Sequence, residues 1–273
     1  MRTSSVVAPD GVRLAVYEGG SPAGPEILFA HGAGQSAMAW RAQLESPALA
    51  ACRLVAWDLR GHGASAKPLE RAYYAEGARW ADEVAAVIEG AGLRRPTVVA
   101  WSYAGTIVGE YLVRHGAGRL AALNFVAAAT LPGIDLFGPG LLGNAKGMMD
   151  EDAAVRGAAT RAFVESCFAT PQPAATIETI LAYNLAVPRE VRAGMAGRQF
   201  DFDAAFAALA IPVLVTHGAA DRVVLPHMGR STAARIPGAR LSLYDGAGHC
   251  PFVEAQGRFD VEVVALARQA VAR

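Results

Sequence analysis

Val98-Val99-Ala100-Trp101-Ser102-Tyr103-Ala104-Gly105 is the stretch on which the reading of this chain turns. Thr97 to Val99 is an apolar, β-branched run of the kind that forms a short buried strand. Thr106-Ile107-Val108-Gly109-Glu110-Tyr111-Leu112 follows with helical character. A serine at so tight a strand-to-helix turn is held in a strained backbone conformation with its hydroxyl exposed. The turn demands small residues two before and two after the serine. Ala100 and Ala104 stand there, where the usual pattern has two glycines. Alanine fits the space but tolerates positive φ less readily. Such a turn aims the first N–H groups of the helix, and the positive end of its dipole, at any oxygen the serine attacks. Ser102 is therefore a candidate nucleophile. The competing reading is a serine that caps a helix, and the surrounding chain has to separate the two.

Working outward, the first half alternates strands and helices. Pro9-Asp10-Gly11 is a turn signal between strand-like runs at 5–7 and 12–18, so the chain opens with a hairpin. Residues 27–30 read as a buried strand ended by His31-Gly32-Ala33-Gly34. Ser36 can cap a helix over 36–50, and 53–57 is the next strand. That strand runs into Asp58-Leu59-Arg60-Gly61-His62-Gly63-Ala64-Ser65. A helix is expected over 76–90, another from the serine turn to about 115, and a strand over 121–128. Several strands are continuous apolar runs, which is the pattern of a parallel sheet covered on both faces. Ligands of such sheets sit at the carboxyl ends of the strands, and His31, Asp58 and Ser102 lie at or just after such ends.

Residues 132–209 read differently. Glycines and prolines break up the start, helices follow over 152–168 and 176–185, and a shorter piece over 203–209. The expectation is a helical insertion (132–209) in a core made of 1–131 and 210–273, covering the edge where the loops gather. The sheet pattern resumes at 211–218, followed by Ala219-Ala220-Asp221. A helix over 226–236, a strand over 240–244, Gly246-Ala247-Gly248-His249-Cys250-Pro251 and a final helix from about 255 complete the chain.

Composition narrows the function. The 273 residues are 53% apolar, enough for a large core, and Lys+Arg balance Asp+Glu at 25 each. A neutral chain of this kind gives no reason to expect nucleic acid or an anionic membrane as partner. Cys52, Cys167 and Cys250 show no C-x-x-C spacing, which argues against a disulfide framework or a zinc site. The N-terminus lacks the apolar run of a signal peptide, and the longest apolar stretch, near 120–131, is too short to span a bilayer. The expectation is a cytoplasmic protein, with monomer and homo-oligomer both open.

A serine hydroxyl needs a base to take its proton, and the base needs an acid to orient it. His249, after the last strand, and Asp221, after the strand before it, supply these in the chain order Ser, Asp, His. His31, His62 and His217 are rival bases in loops, and Asp245 and Asp135 rival acids; His115 and His227 are expected on helices. Charge developing on a substrate oxygen needs preformed donors. The N–H of Tyr103 is one, and the N–H of Ala33 is the expected second.

These motifs resemble the α/β-hydrolase family, in particular its serine esterase, lactonase and cofactor-free haloperoxidase branch. The resemblance covers nearly the whole chain apart from 132–209. It implies a mostly parallel sheet of about eight strands flanked by helices, with a helical cap inserted after the sixth. It implies Ser102, Asp221 and His249 as catalytic triad, Ala33 and Tyr103 as oxyanion donors, and no cofactor or metal. Trp101, His31 and Gly32 are expected at the substrate pocket. A serine at position 102 speaks against the relatives that use an aspartate nucleophile on haloalkanes and epoxides. The substrate implied is a small ester or lactone. A C–C bond hydrolase, a perhydrolase and a ligand receptor with slow hydrolysis would use the same residues.

Overall fold

The computed structural model describes residues 1–271. Eight strands form one sheet: β1 (Arg2–Val7), β2 (Arg13–Gly20), β3 (Glu26–Ala30), β4 (Arg53–Trp57), β5 (Thr97–Trp101), β6 (Ala122–Val126), β7 (Val213–Gly218) and β8 (Arg240–Tyr244). Their order is β1-β2-β4-β3-β5-β6-β7-β8. β1 and β2 pair antiparallel, β2 joins β4 antiparallel, and every pairing from β4 to β8 is parallel. The expected mostly parallel eight-stranded sheet is the one found.

The continuous apolar runs have a simple cause. Successive side chains of a strand point to opposite faces, and here both faces are covered. Leu28, Val55, Val98 and Ala100 pack in one layer with Trp80, Val84, Ile107 and Val108 of helices Gly77–Gly90 and Ala104–His115. Phe29, Ala56, Val99 and Trp101 pack in the other with Trp40, Phe252, Phe259 and Val263. Trp40 is the hub of that second layer, with ring centroids 5.0 Å from Phe29 and 4.3 Å from Phe252. The alternation sends Ala100 to one layer and Trp101 to the other, which decides where Trp101 ends up.

Register aligns the strand ends. Ala30 lies beside both Trp57 and Ala100, Trp101 beside Val126, and Gly218 beside Tyr244. The loops that begin at His31, Asp58, Ser102, Ala219 and Asp245 therefore leave from one edge.

Some helices differ from expectation. The segment expected as one helix over 36–50 is three short pieces, Ala37–Trp40, Arg41–Leu44 and Pro47–Leu49. Ser36 caps the first, its hydroxyl accepting from Met38 N–H at 3.2 Å. The break follows from Ser46-Pro47, since proline lacks an N–H and disfavours helix in the residue before it. Ser46 and Gln43 instead reach Asp260 on the last helix, at 2.7 and 3.3 Å. A helix at Arg189–Met195 was not expected at all.

Residues 127–212 join β6 to β7. They hold helices Ala153–Ser166, Ala174–Leu185, Arg189–Met195 and Asp203–Ala207, besides shorter turns. Asp152 caps the first of these through Ala154 N–H at 2.7 Å. Phe202 and Phe206 tuck into the first core layer, and Met148, Phe163 and Val164 join the second. Among the described residues no helix is long and apolar enough to cross a membrane.

Candidate active site

Ser102 sits between β5 and helix Ala104–His115 with φ of 57°, in the left-handed region that non-glycine residues avoid. Neighbouring backbone holds it there. Ser102 N–H donates to Val126 C=O at 3.0 Å, and Ser102 C=O accepts from Gly105 and Ala129 N–H at 2.9 Å each. Ala100 and Ala104 are both fully buried without strain in φ. The tight approach comes from a different residue. A Cβ on Gly32 would stand 2.8 Å from Ser102 Cβ, so only glycine lets the early loop lie against the serine.

His249 completes a continuous chain of hydrogen bonds. Its Nε2 lies 2.9 Å from Ser102 Oγ and its Nδ1 2.8 Å from Asp221 Oδ2. A carboxylate only accepts, so Nδ1 carries the proton and Nε2 is free to accept from the serine hydroxyl. The backbone of the two loops sets this distance. Ala219 N–H donates to Tyr244 C=O and Ala220 N–H to Ala247 C=O, both at 2.9 Å. The loops cross so closely that a Cβ on Gly218 would fall 1.9 Å from Gly248 C=O. Trp101 Nε1–H holds the carbonyl of His249 at 2.9 Å.

Asp221 is buried and fully engaged. Its Oδ1 accepts from Val223 and Val224 N–H at 2.8 and 3.1 Å. Burial would raise its pKa, but the charge of His249 and the hydrogen bonds from His217 and His249 outweigh that and bring it to about 2. His217 is the partner that sequence reasoning did not assign. Its Nε2 lies 2.9 Å from Val224 C=O and 3.3 Å from Asp221 Oδ2. Since the carbonyl can only accept, His217 carries its proton on Nε2 and braces the aspartate. The signal was a histidine inside β7, four residues before Asp221.

His31 and His62 turn out to hold the early loop. His31 Nδ1–H donates to Gly32 C=O at 2.8 Å, and its Nε2 accepts from Leu59 N–H at 3.0 Å. His62 Nδ1–H donates to Arg60 C=O at 2.9 Å, and its Nε2 accepts from Gly34 N–H at 3.0 Å. Burial pushes both imidazole pKa values down, so both rings stay neutral. Asp58 adds a third tie, accepting from Ala37 N–H at 2.7 Å and from the Tyr17 hydroxyl at 2.9 Å. His31 is wholly buried and braces the loop, away from the open cavity, while the backbone of Gly32 abuts Ser102. Asp135 and Asp245 are exposed and hydrogen bond to none of these histidines.

The amides of Ala33 and Tyr103 have no hydrogen-bond partner among the described residues, and both residues are partly open to solvent. The Tyr103 side chain points away, its ring edge-on to Trp80 and its hydroxyl accepting from Arg198 at 3.0 Å. Trp101 lines a cavity of about 610 Å³, bounded by Met38, Phe252 and Cys250 on the sheet side and by Phe168 and Ile180 from the helical segment. The arrangement provides a hydroxyl with an oriented base, two free donors nearby and an apolar recess.

A family model described as "Alpha/beta hydrolase family" matches residues 27–261. The chain belongs to the α/β-hydrolase family. The non-heme chloroperoxidase CPO-A1 of Kitasatospora aureofaciens is 30% identical over 256 residues, 88% of this chain and 90% of that protein. Among solved structures, this α/β hydrolase is similar to a Burkholderia cenocepacia protein assigned as an aryl esterase. That likeness has a TM-score of 0.95, 33% identity and full coverage of both chains. An esterase from Rhodococcus sp. ECU1013 gives 0.90 and 33% identity, covering 98% of this chain and 99% of that one.

Proposed function

We propose that this α/β hydrolase cleaves small carboxylic esters or lactones through an acyl-enzyme on Ser102. The observation that carries the reading is the unbroken Ser102–His249–Asp221 hydrogen-bond chain, at 2.9 and 2.8 Å, beside two unpartnered amides. His249 takes the Ser102 proton as Oγ attacks the substrate carbonyl. The oxyanion accepts from the N–H of Ala33, in a loop held by His31, His62 and Asp58, and from the N–H of Tyr103, in the turn fixed by the backbone bonds of Ser102, so neither donor has to reorganise. His249 then protonates the leaving alkoxide and the tetrahedral intermediate collapses to the acyl-enzyme. Water, deprotonated by the same histidine, attacks that ester, releasing the acid and restoring Ser102. Asp221, with a pKa near 2, stays a carboxylate throughout and balances the imidazolium.

The names of the similar esterases support ester chemistry. The chloroperoxidase relative favours one variant of the second step, in which hydrogen peroxide replaces water and a peracid leaves. Residues 132–209 serve in this reading as a cap over the core of 1–131 and 210–273. The three buried free cysteines suit an enzyme of the cytoplasm.

p-Nitrophenyl esters of increasing acyl length, given to wild type and Ser102→Ala side by side, test the proposal. Turnover of a short ester by wild type and its loss in the variant is the expected result. Equal, feeble rates for both proteins on every ester would overturn it. Adding hydrogen peroxide to the same assay and measuring peracid decides the second step.

A further inference from the structure

The cavity beside Trp101 is apolar over most of its wall, through Met38, Phe168, Ile180 and Phe252. Of the polar side chains that also line it, Arg41 and Glu45 pair with each other, Thr179 donates to Ala175 C=O, and Thr176, Gln35 and Tyr183 have no described partner. Gln35 comes from the loop that carries Ala33, and Tyr183 from helix Ala174–Leu185. Gln35 is only 4% exposed, yet its carboxamide hydrogen bonds to no described residue. The Tyr183 hydroxyl, beside the thiols of Cys167 and Cys250, has no partner either.

Polar atoms of Trp40, Gln43, Asn124, Asn184, Arg198 and His217 are also buried without a partner, but none of these residues lines the cavity. Gln43, eight positions on and wholly buried, donates through Nε2 to Phe252 C=O at 2.9 Å and to Asp260 at 3.3 Å. Buried Tyr244 hydrogen bonds Glu262 at 2.9 Å. The polar atoms of Gln35 are instead left accessible on the cavity wall, where a group that enters can reach them. An unpartnered amide and an unpartnered hydroxyl facing one cavity are groups kept for something that enters it. The same cavity is lined by Trp101 and Cys250, the chain neighbours of Ser102 and His249, which sets Gln35 on the wall of a recess beside the catalytic groups of this reading.

We infer that Gln35 and Tyr183 form a specificity site for a hydrogen-bond-accepting group of the substrate, an ether, carbonyl or hydroxyl oxygen within the moiety that fills this cavity. The inference rests on the ester-hydrolase reading and adds to it a substrate class: esters with an oxygen substituent near the reacting carbonyl, in preference to plain alkyl esters. A site built to hydrogen bond a substrate group discriminates against the analogue lacking it, because its own polar groups are then left unpaired.

Two pairs of near-isosteric esters test this. p-Nitrophenyl methoxyacetate against p-nitrophenyl butyrate exchanges one methylene for oxygen on the acyl side. 2-Methoxyethyl acetate against butyl acetate does so on the alcohol side. The readout is the ratio of kcat/KM, polar member over apolar member, in wild type, Gln35→Leu and Tyr183→Phe. Intrinsic reactivity cancels when the ratios are compared between proteins, and so does any general loss of activity from repacking. For one of the two pairs, the ratio is expected to fall about tenfold in Gln35→Leu and about threefold in Tyr183→Phe. Ratios within twofold of wild type for both pairs in both variants overturn the inference. If Gln35→Leu does not fold, Tyr183→Phe decides alone. If wild type turns over none of the four esters, the hydrolase reading falls and takes this inference with it; normal turnover with unchanged ratios sinks the specificity site only.

Discussion

The loops at the sheet edge and the helical segment between β6 and β7 are held by different physics. At the edge, polar groups answer one another. His31, His62 and Asp58 each spend their hydrogen bonds on backbone or on a neighbouring side chain, and His217 does so through Nε2. Behind them Arg60 and Glu83, both wholly buried, pair at 2.7 Å. The helical segment contributes apolar side chains to both core layers and keeps most of its ion pairs on the surface, Arg161–Glu178 and Arg189–Glu151 among them. Its Arg198 is the exception, reaching Glu110 and the Tyr103 hydroxyl on the core. An edge with the catalytic role proposed for this one has to be right to a few tenths of an ångström, and dense hydrogen bonding supplies that precision. A cavity wall that shapes one side of a recess can be made of packing alone.

The contrast can be broken at four points, from the largest effect down. Ser102→Ala removes the proposed nucleophile while leaving the turn, and should lower kcat for ester hydrolysis by about 10⁴-fold or more, with the melting temperature close to wild type; a steady-state assay beside a thermal melt checks both. Glu83→Gln strands the buried Arg60 with Asp10 as its remaining carboxylate. A loss of about 3 kcal/mol is expected in urea unfolding. Asp221 gives the third. Its pKa is lowered in the folded chain, so its contribution is complete above about pH 4 and is lost as pH falls towards 2. That contribution amounts to about 2 kcal/mol, and Asp221→Asn should flatten this part of the stability-against-pH curve. The smallest effect belongs to the helical segment. Arg161→Ala breaks an ion pair whose ends are 42% and 59% exposed, and should change stability by less than about 0.5 kcal/mol. An Arg161 effect as large as that of Glu83 would erase the contrast.

Most of the sheet was legible in the sequence, because a strand covered on both faces must be apolar throughout. Residues 27–30 and 53–57 fall where the apolar runs place them. Ser102, Asp221 and His249 were legible as a set, since each follows a strand that ends on one edge. The three rival histidines were not separable by sequence, because what distinguishes them is which carbonyl each ring faces. The break at Ser46-Pro47 was written in the chain but its tertiary partner, Asp260, lies over two hundred residues away. Arg189–Met195 is too short to develop a periodic stripe, although Pro188 before it is a start signal. Gln35 gave no signal at all, since an unpartnered amide is visible only once every neighbour has been placed.

An organophosphate ester tests the nucleophile without reference to substrate preference. Diethyl p-nitrophenyl phosphate reacts with an activated serine, transferring its diethylphosphoryl group to Oγ and releasing p-nitrophenolate. Intact-mass measurement after incubation should find a single added diethylphosphoryl group on wild type, peptide mapping should place it on Ser102, and Ser102→Ala should gain none. Equal labelling of both proteins, or a group mapped to another residue, would contradict the assignment of Ser102 as nucleophile.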